Sequence, residues 1–329
     1  MPVVLTGACA HWPAASRWTA RHLAQSEGRF LAGGYEWSMA AFLAYARGNN
    51  DDVPLYLFDK GIAGRAQLTR DYDVPDYFAD DLFSTLPAGA RPDNKWLLVG
   101  GPRSGSPLHT DPNGVSAWSA TVSGKKKWVF FPPSVEAPPG VVPSADGSDL
   151  VAPLSVAEWF DAFYADAAKH PLVQECTTRP GDVVFVPRMW WHMVINCDDE
   201  DSEGEAADGA GAGLVVSVSH NFCSPAGLRE VLKTLKEKPQ CVAGTSGSDG
   251  ADEAGGLDVE ARRKLEGLRF REKVVATLAK NRPEELHAAL EAEKASRGAW
   301  EALKDGEEAG GEGGGGGGGF SFGFALGGE

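Results

Sequence analysis

A dense succession of short β-rich segments constrains the fold of this chain more than any other feature. Between residues 95 and 222, runs rich in Val, Phe, Trp and Thr are separated by short Gly-, Pro- and Ser-containing turns, with few helical patterns between them. Many short strands with close turns predict an antiparallel sandwich or jelly roll. The predicted strands of this region are 95–99, 108–111, 116–122, 126–131, 179–187, 190–196 and 214–222, with a tight hairpin at 123–125.

Elements on either side of this region complete the predicted organisation. The pattern predicts strands at 2–6 and 54–59 before it, and helices at 37–47, 154–169, 225–237, 258–280 and 283–303. The fold class is therefore mainly β with α additions. We predict a barrel over 1–225, a helical region over 226–305 with a flexible linker near 242–256, and a disordered Gly-rich tail at 306–329.

An apolar stripe marks the first of the long C-terminal helices. Leu257, Ala261, Leu265 and Leu268 follow one another at helical spacing. Such a stripe is far more typical of packing than of ligand binding. It predicts that the helix packs on the barrel or, alternatively, forms a homodimer through the C-terminal helices.

Charge and cysteine content exclude several classes of protein. The net charge is −15, and seven acids without a base lie between residues 198 and 208. Direct binding to nucleic acid is therefore not expected, because phosphate contacts require clustered Lys and Arg. The five cysteines contain no CxxC pair and indicate a reducing compartment. No apolar run approaches the 18 residues that a membrane helix needs, and no signal peptide is visible.

Two histidines and one aspartate carry the main chemical signal. His109 and Asp111 are predicted to lie on one strand, where residues two apart share a face, and His192 lies on a later strand. Alone, a His-x-Asp tripeptide is usually an ordinary polar surface sequence. Together with a second histidine on the inner wall of the same barrel, it predicts a facial triad that leaves three metal positions open. Non-haem Fe(II) oxygenases use this arrangement.

A lysine on an aromatic strand face supplies the second signal. Lys126, Trp128 and Phe130 alternate with Lys125, Lys127 and Val129. The face with two aromatic residues should point inward, and a buried ammonium needs an anionic partner such as a carboxylate cosubstrate. The alternative is that all three lysines extend to water.

With these segments in place, the sequence resembles the Jumonji-C (JmjC) family of Fe(II)- and 2-oxoglutarate-dependent oxygenases. The resemblance is closest to the branch described as arginine demethylase and lysyl hydroxylase, the phosphatidylserine-receptor-like proteins. It covers roughly residues 2–225, in family order, and implies a double-stranded β-helix (a cupin-like jelly roll). The segments that carry it are PVVLTGACAHWPA, DDVPLYLFD, YDVPDYFADDLF, GPRSGSPLHTDPNGVSAWSATVSGKKKWVFFP, RPGDVVFVPRMWWHMVIN and SVSHNF.

The resemblance implies roles for particular residues. His109, Asp111 and His192 would bind iron and serve catalysis, and Lys126 would pair with the far carboxylate of 2-oxoglutarate. Cosubstrate contacts would also come from four hydroxyl-bearing residues: Tyr56, Ser106, Ser119 and Ser219. Ser119 and Ser219 depart from the branch, which tends to have Asn and Thr there. The shorter side chains could bind the cosubstrate partly through water.

The resemblance also implies an activity. A protein of this kind would use Fe(II), 2-oxoglutarate and O2 to hydroxylate, or to N-demethylate, a Lys or Arg side chain of a protein such as a histone or an RNA-processing factor. Two alternatives stay open. One is a catalytically weak JmjC-fold module that binds or scaffolds proteins, and the other is a cupin-like metal protein without 2-oxoglutarate, for which Lys126 is the discriminating residue.

The acidic run at 198–208 indicates the kind of partner, and the family resemblance indicates the cellular compartment. The run joins the strand of His192 to the strand of Ser219, so it should stay near the pocket and attract a basic peptide. It could equally be a solubilising loop. An intracellular location is expected, in the nucleus or cytoplasm, and the resemblance favours the nucleus.

Overall fold

The computed structural model describes residues 1–144, 149–197, 213–245 and 258–309, with side chains described as far as residue 296. The predicted acidic run at 198–208 lies outside the described residues, as do most of the predicted linker and nearly all of the Gly-rich tail. The strands of the described part, in chain order, are β1 Val3–Leu5, β2 Phe30–Ala32, β3 Tyr35–Trp37, β4 Leu57–Asp59, β5 Lys95–Gly100, β6 Gly105–His109, β7 Ser116–Ser123, β8 Lys125–Phe131, β9 Val142–Pro143, β10 Leu150–Val151, β11 Gln174–Thr178, β12 Val183–Val186, β13 Trp191–Cys197 and β14 Val215–Phe222.

Two antiparallel sheets form the body of the protein. The larger sheet has the order β1-β12-β7-β14-β5-β4-β2-β3, and the smaller has the order β11-β8-β13-β6. Side chains of both sheets meet in one apolar cluster, in which Val184 and Val186 of β12 contact the layer of Trp128, Phe130 and Val194. The architecture confirms the predicted antiparallel β fold with helical additions.

Strand alternation places the side chains of β8 as predicted. Lys126, Trp128 and Phe130 are buried between the sheets at 0%, 4% and 1% exposure. Lys127 points away from the interior, where its ammonium lies 3.0 Å from a carboxylate oxygen of Glu175. The alternative in which all three lysines reach water is therefore wrong.

The helices are α1 Pro13–Arg17, α2 Ala20–Leu23, α3 Met39–Gly48, α4 Ala66–Thr69, α5 Val156–Ala162, α6 Tyr164–Ala167, α7 Leu228–Glu237, α8 Val259–Asn281 and α9 Pro283–Ala309. The predicted helix at 154–169 is interrupted, because the backbone of Phe163 leaves the helical region (φ −125°). In the described residues, no helix combines the length and the apolar character that crossing a membrane requires.

The C-terminal helices pack together in a second apolar cluster, to which Leu82, Phe83, Leu86, Val115 and Cys223 also contribute. The side of α8 that they bury consists of Gly267, Phe270, Val274 and Leu278. Leu268 of the predicted stripe is 37% exposed, whereas Leu257 lies outside the described residues, so packing within the chain and a homodimer both stay predictions. The buried side was not predicted, because it includes Gly267. This glycine lies directly against Pro239, where a Cβ atom would collide with the Pro239 backbone, and the sequence does not show that contact.

The N-terminal segments cover the outer face of the larger sheet. Trp12 and Tyr72 from this cover contact Trp118 and His220 of the sheet. His220 was expected to face outward, and it does leave the barrel interior, but it is 4% exposed. Its Nε2 lies 3.0 Å from the Tyr72 hydroxyl, which makes it a buried histidine with a hydrogen-bond partner.

Candidate active site

The two histidines predicted to bind metal face each other across adjacent strands. His109 ends β6 and pairs directly with His192 on β13. Their ring centroids are 4.2 Å apart and the rings are inclined by 50°. A β-bulge between His192 and Val194 shifts the pairing just beyond this point, and such bulges redirect side chains next to functional sites.

Asp111 joins the two histidines, although not for the predicted reason. β6 ends at His109, so Asp111 is not on the strand; it precedes a 3-10 turn at Pro112–Gly114 and has extended backbone angles (φ −61°, ψ 141°). One potential ligand atom of each of His109, Asp111 and His192 lies within 4.8 Å of the others. The three predicted metal ligands therefore do converge.

Backbone carbonyls orient both imidazoles. Nδ1 of His109 lies 2.7 Å from the carbonyl oxygen of Pro107, and Nδ1 of His192 lies 3.0 Å from that of Trp190. A carbonyl can only accept, so each Nδ1 carries the hydrogen and each Nε2 keeps a free lone pair. Metal-ligating histidines are commonly fixed in this way.

The electrostatic environment keeps His192 neutral. Burial, together with the neighbouring His109, lowers the pKa of His192 to about 4, although Asp111 and the hydrogen bond to Trp190 act in the opposite direction. A neutral imidazole is the form that binds a metal ion. The site is therefore ready to bind a cation at neutral pH without first losing a proton from His192.

An unpartnered carboxylate oxygen shows that these residues fit a metal ion. Oδ2 of Asp111 is buried and has no hydrogen-bond partner. Burying such a group without a partner is costly, and a divalent cation would remove the cost. Two imidazole nitrogens and one carboxylate are the donor set of the Fe(II) facial triad.

Lys126 occupies a second polar site inside the barrel. Its ammonium donates to the hydroxyl of Tyr56 at 3.0 Å and to the hydroxyl of Ser217. It also lies 5.6 and 5.8 Å from the ring centroids of Tyr56 and Trp128. Both hydrogen-bond partners are neutral, and burial lowers the pKa of Lys126 to about 7. The site lacks an anion that would stabilise the charged form.

The close approach of Tyr56 depends on a glycine. A Cβ atom on Gly100 would lie 2.8 Å from Cδ2 of Tyr56, and it would also collide with Ser104. Any larger residue would displace the ring that contacts Lys126. Burial also raises the pKa of Tyr56 well above its ordinary value, so its hydroxyl keeps its proton and can donate to an anion.

The predicted serines occupy different positions. Ser119 and Ser219 pair across β7 and β14. The hydroxyl of Ser219 donates to the backbone carbonyl of Trp118 at 3.1 Å, whereas the buried hydroxyl of Ser119 has no partner. Ser106 lies opposite Val194, on the strand pair that carries the histidines. None of these three serines is a hydrogen-bond partner of Lys126.

Ser217 was missed by the sequence analysis. It is fully buried and contacts both Lys126 and Tyr56. The signal was present, because Ser217 and Ser219 are two residues apart on β14 and share a face. The motif comparison drew attention to Ser219, and only the depth of each serine in the barrel distinguishes them.

Comparisons with known proteins agree with this geometry. The family described as "Cupin-like domain" matches residues 38–225, which include every strand that carries a site residue. The arginine-specific demethylase JMJ22 of Arabidopsis thaliana is 40% identical over 254 residues, which are 74% of this chain and 47% of that protein.

Two further relatives have related names. The bifunctional arginine demethylase and lysyl-hydroxylase psr-1 of Caenorhabditis elegans is 33% identical over 73% of this chain and 60% of its own length. The 2-oxoglutarate and iron-dependent oxygenase JMJD4 of Mus musculus is 30% identical over 52% of this chain and 36% of its own length. The match thus spans about half the length of the curated relatives.

Proposed function

Because this chain belongs to the cupin-like domain family in its JmjC form, we propose that it is an Fe(II)- and 2-oxoglutarate-dependent oxygenase that modifies Arg or Lys side chains of a protein. One observation carries the proposal. The barrel contains a two-histidine, one-carboxylate cluster with an unpartnered oxygen on Asp111, and the same barrel buries a lysine without an anion.

Each end of this site has its own task. His109, Asp111 and His192 would hold the metal, which supplies oxygen activation coupled to decarboxylation of the cosubstrate to succinate. The hydrogen bonds from the two Nδ1 atoms to Pro107 and Trp190 hold both rings in the binding orientation. Preset ligands lower the cost of ordering the site when it is loaded.

Lys126 would anchor the far carboxylate of 2-oxoglutarate. A carboxylate next to this ammonium would replace the missing counter-ion and raise its pKa, since an opposite charge favours the charged form. The hydroxyls of Tyr56 and Ser217 already surround the ammonium and could turn their hydrogens toward the same anion. Three donors at one point make a carboxylate site.

A succinate-release assay tests the proposal. The chain with Fe(II), 2-oxoglutarate and O2 should form succinate faster when a suitable Arg- or Lys-containing peptide is added, and histone-tail and splicing-factor peptides are the first panel. Formaldehyde release would indicate demethylation, and one added oxygen atom by mass spectrometry would indicate hydroxylation. If the chain binds peptides but forms no succinate, whether peptide is present or absent, the alternative of a scaffold module would be favoured.

We further propose a basic substrate. The seven acids between residues 198 and 208 carry no balancing base and are predicted to join the strands of His192 and Ser219. Replacing the four acids at 198–201 with Ser should slow turnover of a basic peptide at low salt but not at high salt, since charge steering is screened. Equal turnover at every ionic strength would contradict this role, and uncoupled succinate release serves as the control.

A homodimer through the C-terminal helices is proposed as well. Leu268, which lies on the predicted stripe of α8, is 37% exposed. Leu268→Glu should then convert a dimer into a monomer in analytical ultracentrifugation. A parent chain that is monomeric at every concentration tested would contradict the proposal.

The location is also a proposal. The five cysteines are widely spaced and contain no CxxC pair, which agrees with a reducing intracellular compartment. The resemblance to the JmjC branch supports the nucleus over the cytoplasm. Microscopy of the tagged full-length protein would test this assignment, and a purely cytoplasmic signal would contradict it.

A further inference from the structure

The turn that carries Asp111 is held by a distant part of the chain. Asn113, two residues beyond Asp111, has left-handed backbone angles (φ 63°, ψ 6°) and is 6% exposed. Its Nδ2 donates to the carbonyl oxygen of Ala243 at 3.0 Å, and its Oδ1 accepts from the amide of Ala243 at 3.1 Å. The side chain thus pairs with a backbone unit 130 residues away.

The next residue makes a second contact with the same region. Gly114 also has a positive φ of 66°, and a Cβ atom there would lie 2.8 Å from Oγ1 of Thr234 on α7. Val115 then enters the apolar cluster of the C-terminal helices. The Pro112–Gly114 turn is therefore seated directly on α7 and on the segment that follows it.

The segment around Ala243 is itself held in place. The amide of Val242 donates to Pro239 at 3.2 Å, and the carbonyl oxygen of Gly244 accepts from the amide of Asp93 at 2.9 Å. Gly267 of α8 lies against the backbone of Pro239. Contacts thus run without a break from α8 to the turn.

Few hydrogen bonds hold the side chain of Asp111 itself. Its carboxylate makes no capping hydrogen bond to the turn that follows it, and its Oδ2 has no partner. The backbone of the turn is therefore what fixes the direction of the carboxylate. Residues that orient a metal ligand typically change metal affinity about 10- to 100-fold.

We propose that Asn113 is a positioning residue, which couples the C-terminal region to the metal site by locking the turn behind Asp111 onto Ala243. The coupling rests on the proposed metal site, whose own failure has a separate signature in the experiment below. It assigns the C-terminal helices a part in setting metal affinity, although they supply no ligand to the cluster.

The test is titration of the full chain with Co(II), followed by its visible absorption. Asn113→Gly still permits the left-handed backbone and removes the side chain that pairs with Ala243. It should weaken Co(II) binding about tenfold and alter the spectrum of the saturated site. Asn49→Gly is the matched control, because it removes a side-chain amide that donates to the backbone of Ala46 at 3.2 Å in another region. It should bind Co(II) as the parent does.

The outcomes separate the two claims. Parental affinity and spectrum in Asn113→Gly, while the parent binds Co(II) and Asp111→Ala does not, would overturn the coupling and leave the metal site standing. A parent that binds no Co(II) would overturn both. If Asn113→Gly does not fold, Asn113→Asp decides, since it keeps the acceptor for the Ala243 amide and loses the donor. It should also weaken Co(II) binding, and parental affinity in that variant would overturn the coupling.

Discussion

The two polar sites inside this barrel differ in the hydrogen-bonding groups that they offer to a ligand. The metal end, formed by His109, Asp111 and His192, offers acceptors, and one buried oxygen of Asp111 has no donor. The lysine end, formed by Tyr56, Lys126 and Ser217, offers donors, and its ammonium has only neutral partners. One end is therefore suited to a cation and the other to an anion.

This difference indicates what the barrel is built to hold. A metal ion satisfies the first end, and a carboxylate satisfies the second. 2-Oxoglutarate, the proposed cosubstrate, carries chelating oxygens at one end and a carboxylate at the other, and these groups match the chemistry of the two sites. Buried polar groups that only a ligand would satisfy are typical of sites that give up stability for function.

The largest expected effect comes from breaking the metal end. Asp111→Ala should lower Co(II) affinity at least about 100-fold, the upper limit seen when only a group that orients a ligand is lost. The metal-free chain should keep or gain thermal stability, because an unpartnered buried oxygen disappears. Calorimetry and Co(II) titration measure both effects. Asp161→Ala, at an exposed position of α5, is the control. A large loss of stability in Asp111→Ala would contradict the proposed cost of the unpartnered oxygen.

Breaking the lysine end should affect the cosubstrate and spare the metal. Lys126→Met should weaken 2-oxoglutarate binding at least about 100-fold, since removing one member of a buried charge pair costs about 3–5 kcal/mol. Co(II) affinity should stay parental. Lys127→Met is the matched control, because this neighbouring lysine points outward to Glu175. Calorimetric titration with 2-oxoglutarate would contradict the assignment if both variants bound equally.

The pH dependence should sharpen the comparison. Burial lowers the pKa of Lys126 to about 7, so binding a carboxylate above that pH requires proton uptake. Affinity for 2-oxoglutarate should fall about tenfold per pH unit above pH 7 and level off below it.

The stability of the empty chain should show the opposite trend. Between about pH 7 and the ordinary lysine pKa near 10.4, the unfolded chain binds the proton that folded Lys126 has lost, so this residue makes unfolding less favourable as pH rises. Denaturant titrations across this window should show a slope that is absent in Lys126→Met. Identical slopes in the two proteins would contradict the lowered pKa.

The smallest expected effect is a difference in 2-oxoglutarate affinity between variants of two serines on β14. Ser217→Ala should weaken 2-oxoglutarate binding about tenfold, the cost of one hydrogen bond to a charged group. Ser219→Ala should change it less, because that hydroxyl already donates to Trp118. The reverse order in calorimetry would return the cosubstrate role to Ser219.

Sequence patterns anticipated the site better than its surroundings. Strand alternation placed Lys126 inside the barrel, because alternation is a local periodicity. The convergence of His109 with His192 was anticipated from the order of the motifs and the family resemblance, since these residues lie on strands far apart in the chain. Asp111 was assigned to a strand although β6 ends at His109, since a turn held by Ala243, 130 residues away, leaves no local signal. The short strands β2, β3, β9, β10 and β11 were also missed, because pairing with other strands rather than composition defines them.

Succinate formation by the Fe(II)-loaded chain across a series of 2-oxoglutarate concentrations tests the central claim most directly. The parent should form succinate in an O2-dependent manner. Lys126→Met should do so only at much higher 2-oxoglutarate, and Asp111→Ala should form none at any concentration. Parental succinate formation by Asp111→Ala, or an unchanged 2-oxoglutarate requirement in Lys126→Met, would contradict a barrel that binds metal at one end and carboxylate at the other.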